Sequence, residues 1–127
     1  MPTSGTGYRG GRPVVMSTRA VVCSGHYLAT SIGLGILARG GNAFDAAAAV
    51  GFALNLTKPH QNGVGGEAPA LIYLADEGKV HAVSGNGSAP AAATISLMRD
   101  EYGLEIIPGD GLLPAVVPAA VGTWLYL

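Results

Sequence analysis

The segment KPHQNGVGGEAP, residues 58–69, concentrates residue types that could do chemistry, with three glycines within four positions. A glycine-rich turn binds a nucleotide phosphate when a strand precedes it and a helix follows, because the helix amides then face the phosphate. Gly63 to Ala68 matches the pattern GxGxxA, as does Gly33 to Ala38. The first match opens a run of strand formers and the second lies inside a helical pattern. Neither therefore predicts a nucleotide site.

The remaining reactive side chains are dispersed. His26, His60 and His81 do not have the spacing of metal ligands, and Cys23 has no CxxC partner. We therefore predict no metal and no cofactor. Cys23 lies in an apolar run that predicts a strand, where a thiol is normally inert. Glu67 is predicted to be a solvated loop carboxylate without an assigned role.

Composition narrows the class of protein. The 127 residues are 49% apolar, which excludes intrinsic disorder, and 12% charged against roughly 25% in a typical soluble domain. So few charges predict that much of the chain's surface does not face water. A net charge of −1 leaves no basic face for nucleic acid. No apolar run approaches the ~20 residues that span a bilayer, and a single cysteine favours a reducing, cytoplasmic location.

The hydrophobic periodicity predicts the elements that must position these residues. Two helical patterns are separated by a Gly-Gly-Asn stop, and a hairpin signal follows the glycine-rich segment. This order favours a layered α+β arrangement over a βαβ series. The predicted elements are strands at 14–16 and 20–23, helices at 27–39 and 43–56, a hairpin of 70–74 with 79–84, and a short helix at 96–102.

The two ends of the chain differ from its middle. Residues 1–13 predict a flexible arm ahead of a domain that covers 14–127. From Gly111 to Leu127 there is no charged residue, and the chain stops within an apolar run. Termini are normally polar unless they dock against something. We therefore expect a chain that is truncated here, or a surface that another chain covers.

The order of these motifs resembles the start of the large subunit of γ-glutamyltransferases. The resemblance covers nearly all of residues 20–127, and RGGNAFDAAAA is its most specific segment. It implies part of a four-layer αββα N-terminal-nucleophile hydrolase fold, in which a precursor cleaves itself into a large and a small chain. The matching segments are GHYLAT (25–30), ILARGGNAFDAAAAVGFALNL (36–56), KPHQNGVGGEAPALIY (58–73), SGNGSAPAAAT (84–94) and AVVPAAVGTWLYL (115–127).

The resemblance also implies that the catalytic nucleophile lies on a different chain from the residues considered so far. In the family, the N-terminal threonine of the small chain attacks a γ-glutamyl amide such as glutathione, and the acyl group passes to water or an amine. None of the threonines in this sequence is followed by histidine, as the family's nucleophile is. This chain is therefore expected to hold no catalytic residue and to be inactive alone. Its implied partners are the remainder of the large subunit, the small subunit and an amide substrate.

The resemblance also implies a role for the glycine-rich turn and for one substrate-binding residue. GVGG is similar to the family's structural glycine turn, in which glycines permit positive φ and close backbone approach. Counting back from Ala89-Pro90, Asn86 stands where the family carries an arginine that grips the substrate's α-carboxylate, and Gly87 where it carries glutamate. Asn86 is thus the predicted substrate-binding residue. Asn-Gly also favours left-handed turns, so Asn86 is alternatively a turn residue.

Three functions follow from these observations. The first is the N-terminal fragment of a γ-glutamyltransferase-like enzyme that acts on γ-glutamyl amides. The second keeps the fold and self-processing but changes the amide, because Asn86 cannot form the bidentate contact of an arginine with a carboxylate. The third is a truncated, non-catalytic interaction module.

Overall fold

The computed structural model describes residues 13–127, so the predicted arm at 1–13 lies almost wholly outside the described residues. The two long helices and the two strands of the hairpin, four of the seven predicted elements, are present close to their predicted bounds. No helix within the described part is both long and apolar enough to cross a membrane. The elements are α1 (Tyr27–Ala38), α2 (Ala43–Thr57), β1 (Ala70–Leu74), β2 (Lys79–Val83), a π-helical turn (Leu97–Glu101) and α3 (Ala120–Tyr126).

Helices α1 and α2 pack against each other through small residues. Ala29 of α1 and Ala46 of α2 are buried. A Cβ at Gly33 would lie 2.7 Å from Val50 Cγ2, so only glycine permits this approach. The hydrophobic periodicity predicts an apolar face of Leu28, Ile32, Ile36 and Leu37. Leu28 and Ile32 are 46% and 44% exposed, because the close packing against α2 uses the small residues of the helix, whereas Ile36 and Leu37 are half-buried.

A capping box starts α2. Asn42 Oδ1 accepts from the N–H groups of Phe44 and Asp45 at 2.8 and 2.9 Å, and Asp45 Oδ2 accepts from Asn42 N–H at 2.9 Å. These bonds satisfy helix N–H groups that have no partner within the helix. Just before it, Gly40 has φ 92°, which confirms the predicted glycine stop of α1.

Asn42→Ala is expected to lower the free energy of unfolding by about 1 kcal/mol, because the α2 N–H groups lose their acceptor. Urea unfolding followed by circular dichroism measures the change. Asn42→Ser is the control, since a serine hydroxyl also caps helices and should retain most of the stability. Equal losses in the two variants would contradict a capping role.

The hairpin is antiparallel, with Leu71 opposite Ala82 and Tyr73 opposite Val80. These side chains share one face, because alternate residues of a strand point to the same side. Leu71, Tyr73 and Val80 are exposed on it. The low charge content predicted apolar surface of this kind, and it accounts for a chain that is half apolar yet buries few large side chains.

Three predictions differ from the structure. The strands predicted at 14–16 and 20–23 are wrong: within residues 13–127 these segments are irregular, because they pair with no neighbouring strand. Cys23 is accordingly exposed and not part of a strand. The short helix at 96–102 is a π-helical turn, and helix α3 was not predicted.

Candidate functional site

The glycine-rich turn holds the start of α3. Gly66 carbonyl oxygen accepts from the N–H groups of Ala119 and Ala120 at 3.1 and 3.0 Å, and Gly66 N–H donates to Gly63 carbonyl oxygen at 3.0 Å. The turn therefore offers α3 an acceptor for two of its unsatisfied N–H groups. This contact explains how a helix that no side chain caps begins at this point.

The turn departs from its predicted backbone conformation. Positive φ occurs at Gly40, Gly78, Gly103 and Gly111, so within the described residues none of the turn's glycines adopts it. Close approach is confined to Gly66, where a Cβ would lie 3.2 Å from the carbonyl oxygen of Gly63. The turn acts as a backbone acceptor, and the expected positive φ is wrong for this chain.

Residues 84–88 form an irregular loop that is clamped between two other backbone segments. On one side, Gly85 carbonyl oxygen accepts from Ala68 N–H at 2.9 Å. On the other, Ser88 carbonyl oxygen accepts from Val117 N–H at 2.9 Å. A Cβ at Gly85 would collide with the carbonyl of Ala68, and one at Gly87 with the carbonyl of Val117. Both glycines are therefore required by close approach.

Asn86 lies between these two clamped glycines and is exposed. It does not have positive φ, and no backbone hydrogen bond closes a turn across Asn86-Gly87. The left-handed Asn-Gly turn is therefore wrong as an explanation of the flanking glycines. The loop presents the Asn86 side chain at a position that both neighbours hold in place. Its role in binding substrate stays a prediction.

Ala68, which donates to Gly85 of loop 84–88, also lines a cleft of about 310 Å³. Trp124 of α3 forms its aromatic wall and is 8% exposed, with its ring edge-on to Phe52 at 4.7 Å between centroids. A Cβ at Gly51 would lie 2.7 Å from the Trp124 indole, so α2 approaches this ring as closely as glycine allows. The cleft is lined by Gly25, Gly51, Leu54, Lys58, Gln61, Asn62, Glu67, Ala68 and Trp124.

The cleft brings together residues that sequence reasoning did not connect. Lys58 and Glu67 are its charged members, and Gln61 and Asn62 add side-chain amides. The signal in the sequence was the segment 58–69 itself, because four polar cleft residues come from that one stretch. Because the segment matches no complete catalytic or phosphate-binding motif, sequence motifs did not indicate the cleft.

The histidines do not meet at any site. His26 caps α1 by accepting from Leu28 N–H at 3.3 Å, and His81 Nε2 lies 3.0 Å from Glu77 Oε2 on the hairpin. His60 is exposed. Among residues 13–127, no three His, Cys, Asp or Glu side chains form a group that could hold a metal ion.

Comparisons with known proteins agree with this architecture. The family model described as gamma-glutamyltranspeptidase matches residues 29–127. A glutathione hydrolase-like proenzyme, YwrD, of Bacillus subtilis is 39% identical over 112 residues, covering 87% of this chain and 21% of that protein. An oxamate amidohydrolase proenzyme of Klebsiella pneumoniae is 33% identical over 111 residues, covering 87% of this chain and 20% of that protein.

A solved structure extends the likeness to three dimensions. The γ-glutamyltranspeptidase of Helicobacter pylori superposes with a TM-score of 0.76 at 37% identity, covering 88% of this chain and 32% of that chain. The chain thus spans about a fifth of the length of the curated relatives it matches. The predicted fold class is confirmed as α+β, part of the N-terminal-nucleophile hydrolase fold. The chain belongs to the γ-glutamyltranspeptidase family.

Proposed function

We propose that this chain is the substrate-presenting part of the large subunit of an amide-cleaving, self-processing enzyme. The observation that carries this proposal is the clamped loop 84–88. Its two glycines are held against the carbonyls of Ala68 and Val117, which leaves the Asn86 side chain exposed at a defined position. Preorganised binding groups of this kind orient a substrate without a cost at the moment of reaction.

The bond-breaking step is assigned to a small subunit. Its N-terminal threonine hydroxyl attacks the amide carbonyl while the threonine's own amine takes the proton. The tetrahedral oxyanion then collapses and expels the amine, and water or an acceptor amine takes the acyl group from the threonine. In this scheme the residues described here bind and orient the substrate.

The remainder of the large subunit and the small subunit are the proposed partners. Support comes from large apolar side chains that lie exposed, including Leu71, Val80 and Leu125. Apolar surface on this scale marks contact regions in soluble proteins. A non-catalytic interaction module would present the same surface, so processing must distinguish the two.

Intact-mass spectrometry of the gene's product in its own cell tests the proposal. Two chains are expected, one that contains these residues and one that begins with threonine. A single unprocessed species with the mass of this chain would overturn the self-processing enzyme and leave the non-catalytic module. Blocking the new N-terminal amine by acetylation should abolish amide cleavage, because the amine serves as the base.

A second candidate keeps the mechanism but changes the amide. Asn86 favours it, because a neutral side-chain amide cannot grip a carboxylate as a charged, bidentate arginine does. The oxamate amidohydrolase proenzyme of Klebsiella pneumoniae, at 33% identity, shows by its name that relatives include enzymes for other amides. The donor is settled by assaying γ-glutamyl-p-nitroanilide, glutathione and simple amides with the complete gene product.

Asn86→Arg is expected to lower the KM for γ-glutamyl-p-nitroanilide by about tenfold or more. A charged hydrogen bond to the substrate carboxylate contributes about 1.5–3 kcal/mol, and the arginine supplies one. Steady-state kinetics of the processed enzyme measure the change. Ser88→Arg is the control, because it adds the same charge at a nearby exposed position. Equal decreases in the two variants would show a general effect of charge and exclude a direct contact at position 86.

A further inference from the structure

Loop 84–88 contains a chemically labile pair of residues. Two asparagines of the chain, Asn62 and Asn86, are followed by glycine. In such a pair the backbone nitrogen of the glycine can attack the side-chain carbonyl carbon of the asparagine. Glycine favours this attack, because it has no side chain to obstruct the approach and restricts the backbone least. Asparagine is accordingly counted among the thermolabile residues. The surroundings of the two pairs determine which of them reacts.

The peptide unit that joins Asn86 to Gly87 is not held by the backbone. Within residues 13–127, neither the Asn86 carbonyl oxygen nor the Gly87 N–H group takes part in a backbone hydrogen bond. The bonds that clamp the loop lie on either side of this unit, at the carbonyl groups of Gly85 and Ser88. A planar peptide unit between two fixed Cα atoms can rotate by changing ψ of the first residue and φ of the second. Glycine at position 87 accepts the new φ, so the clamp does not prevent the rotation.

The side chains of the two asparagines differ in the same way. Among the residues that the structure describes, the asparagine side chains that form hydrogen bonds are those of Asn42 and Asn62. Asn62 is half-buried, and its Nδ2 donates to the Gly51 carbonyl oxygen at 3.5 Å. Asn86 is exposed, so its side chain can turn toward the Gly87 nitrogen without breaking a bond within the protein. The pair at 86–87 is therefore the more reactive of the two.

We propose that Asn86 is a deamidation site and that the reaction places a negative charge in loop 84–88. The Gly87 nitrogen loses its proton and bonds to Asn86 Cγ, and the side-chain nitrogen leaves as ammonia. The product is a cyclic imide. Water then breaks one of the two bonds from the imide nitrogen to carbon. Cleavage at Cγ gives aspartate with the normal backbone, and cleavage at the main-chain carbonyl carbon gives isoaspartate. Water is the only co-reactant.

Peptide mapping of the complete gene product tests the site. The protein is incubated in mildly alkaline buffer, which favours loss of the proton from the Gly87 nitrogen, and is then digested and examined by mass spectrometry. Deamidation exchanges NH for oxygen. We expect the corresponding mass gain on the peptide that contains Asn86 before it appears on the peptide that contains Asn62.

A synthetic peptide with the sequence SGNGSAP, residues 84–90, shows that the conditions support the reaction. If this peptide deamidates while Asn86 of the folded protein does not, the loop protects the residue and the proposal is wrong. Deamidation of Asn62 as fast as that of Asn86 would also overturn it, because the two sites would then not differ in reactivity.

Two variants assign the mass gain. Asn86→Gln should remove the early gain, because the longer glutamine side chain must close a larger and less favourable ring. Asn62→Gln is the matched control, since it removes the other Asn-Gly pair and should leave the early gain in place. The opposite pattern would assign the reaction to the glycine-rich turn and refute the proposal. If a variant fails to fold, the order of reaction at the two sites of the unmodified protein still decides the matter.

The effect of the new charge on catalysis rests on the proposed function, in which Asn86 contacts the substrate carboxylate. Asn86→Asp carries the charge of the aspartate product on a normal backbone. It should raise the KM for γ-glutamyl-p-nitroanilide by about tenfold or more, because like charges meet at the contact. Ser88→Asp is the control, since it adds the same charge at a nearby exposed position.

The outcomes separate the modification from the proposed function. If deamidation maps to Asn86 but Asn86→Asp leaves KM unchanged, or changes it no more than Ser88→Asp does, the substrate contact at position 86 is refuted and the modification site stands. If Asn86→Asp raises KM but Asn86 of the folded protein does not deamidate, the modification site alone is refuted.

Discussion

Gly87→Ala is expected to lower the free energy of unfolding by about 3 kcal/mol or more and to abolish ordered presentation of Asn86. A Cβ at this position would overlap the carbonyl of Val117, and a backbone group cannot rotate away as a side chain does. The loop must shift, so Ser88 would lose its 2.9 Å bond from Val117 N–H. Forced overpacking typically costs 1–3 kcal/mol, and a collision between two backbone segments lies at or above that range.

Urea unfolding of the protein measures this loss, and the amidase assay reports the displacement of the loop. Gly122→Ala is the matched control, because a Cβ there meets nothing within 4 Å and the residue lies in α3. That control should gain about 0.5–1 kcal/mol from helix propensity. A Gly87→Ala protein as stable as the control would show that loop 84–88 is not clamped.

Trp124→Ala is expected to lower the free energy of unfolding by about 3–5 kcal/mol, the range for removing a buried large aromatic side chain. Trp124 is 8% exposed, lies against Gly51 and meets Phe52 edge-on. Its loss would detach α3 from α2 and open the cleft wall.

Tyr126→Ala is the control for this second change. Tyr126 lies two residues further along α3 and is 72% exposed, so its removal should change stability by less than about 0.5 kcal/mol. Guanidinium unfolding monitored by far-ultraviolet circular dichroism compares the two variants. Similar small losses in both would mean that α3 does not depend on the Trp124 contact for its position.

Local signals were enough to predict the two long helices and the hairpin. The Gly40-Gly41-Asn42 stop and the Asp45 that completes the capping box act within a few residues of each other. The hairpin likewise depends on a turn with Gly78 at φ 63°. Such interactions join residues that are close in the sequence. The residue types within one short segment therefore predict them.

Elements that depend on distant partners were missed or misjudged. Helix α3 begins where the carbonyl of Gly66 accepts its first N–H groups, more than fifty residues away along the chain. The strands predicted at 14–16 and 20–23 are absent for the converse reason. A segment with high β propensity forms a strand only when a neighbouring strand pairs with it. Cys23 was misjudged with them and is exposed.

At the candidate site, too, the sequence indicated local features but not the contacts between distant segments. The family resemblance pointed to Asn86 by counting from Ala89-Pro90, and a close approach at the glycine-rich segment was expected. It could not show that Gly85 and Gly87 face the carbonyls of Ala68 and Val117, since those contacts join segments far apart in sequence. Nor could it show that none of the turn's glycines would use positive φ.

By itself the sequence determined the α+β class, the family and the two long helices, because these follow from periodicity, helix-stop signals and a long ordered set of motifs. The tertiary structure alone determined the position of the clamped loop, the start of α3 and the cleft that Lys58 and Glu67 line. Backbone carbonyls set the loop and the start of α3, and the packing of Trp124 on α2 sets the cleft wall. Every residue has the same backbone carbonyl group, so the residue types do not indicate which carbonyl groups will form contacts in the folded chain.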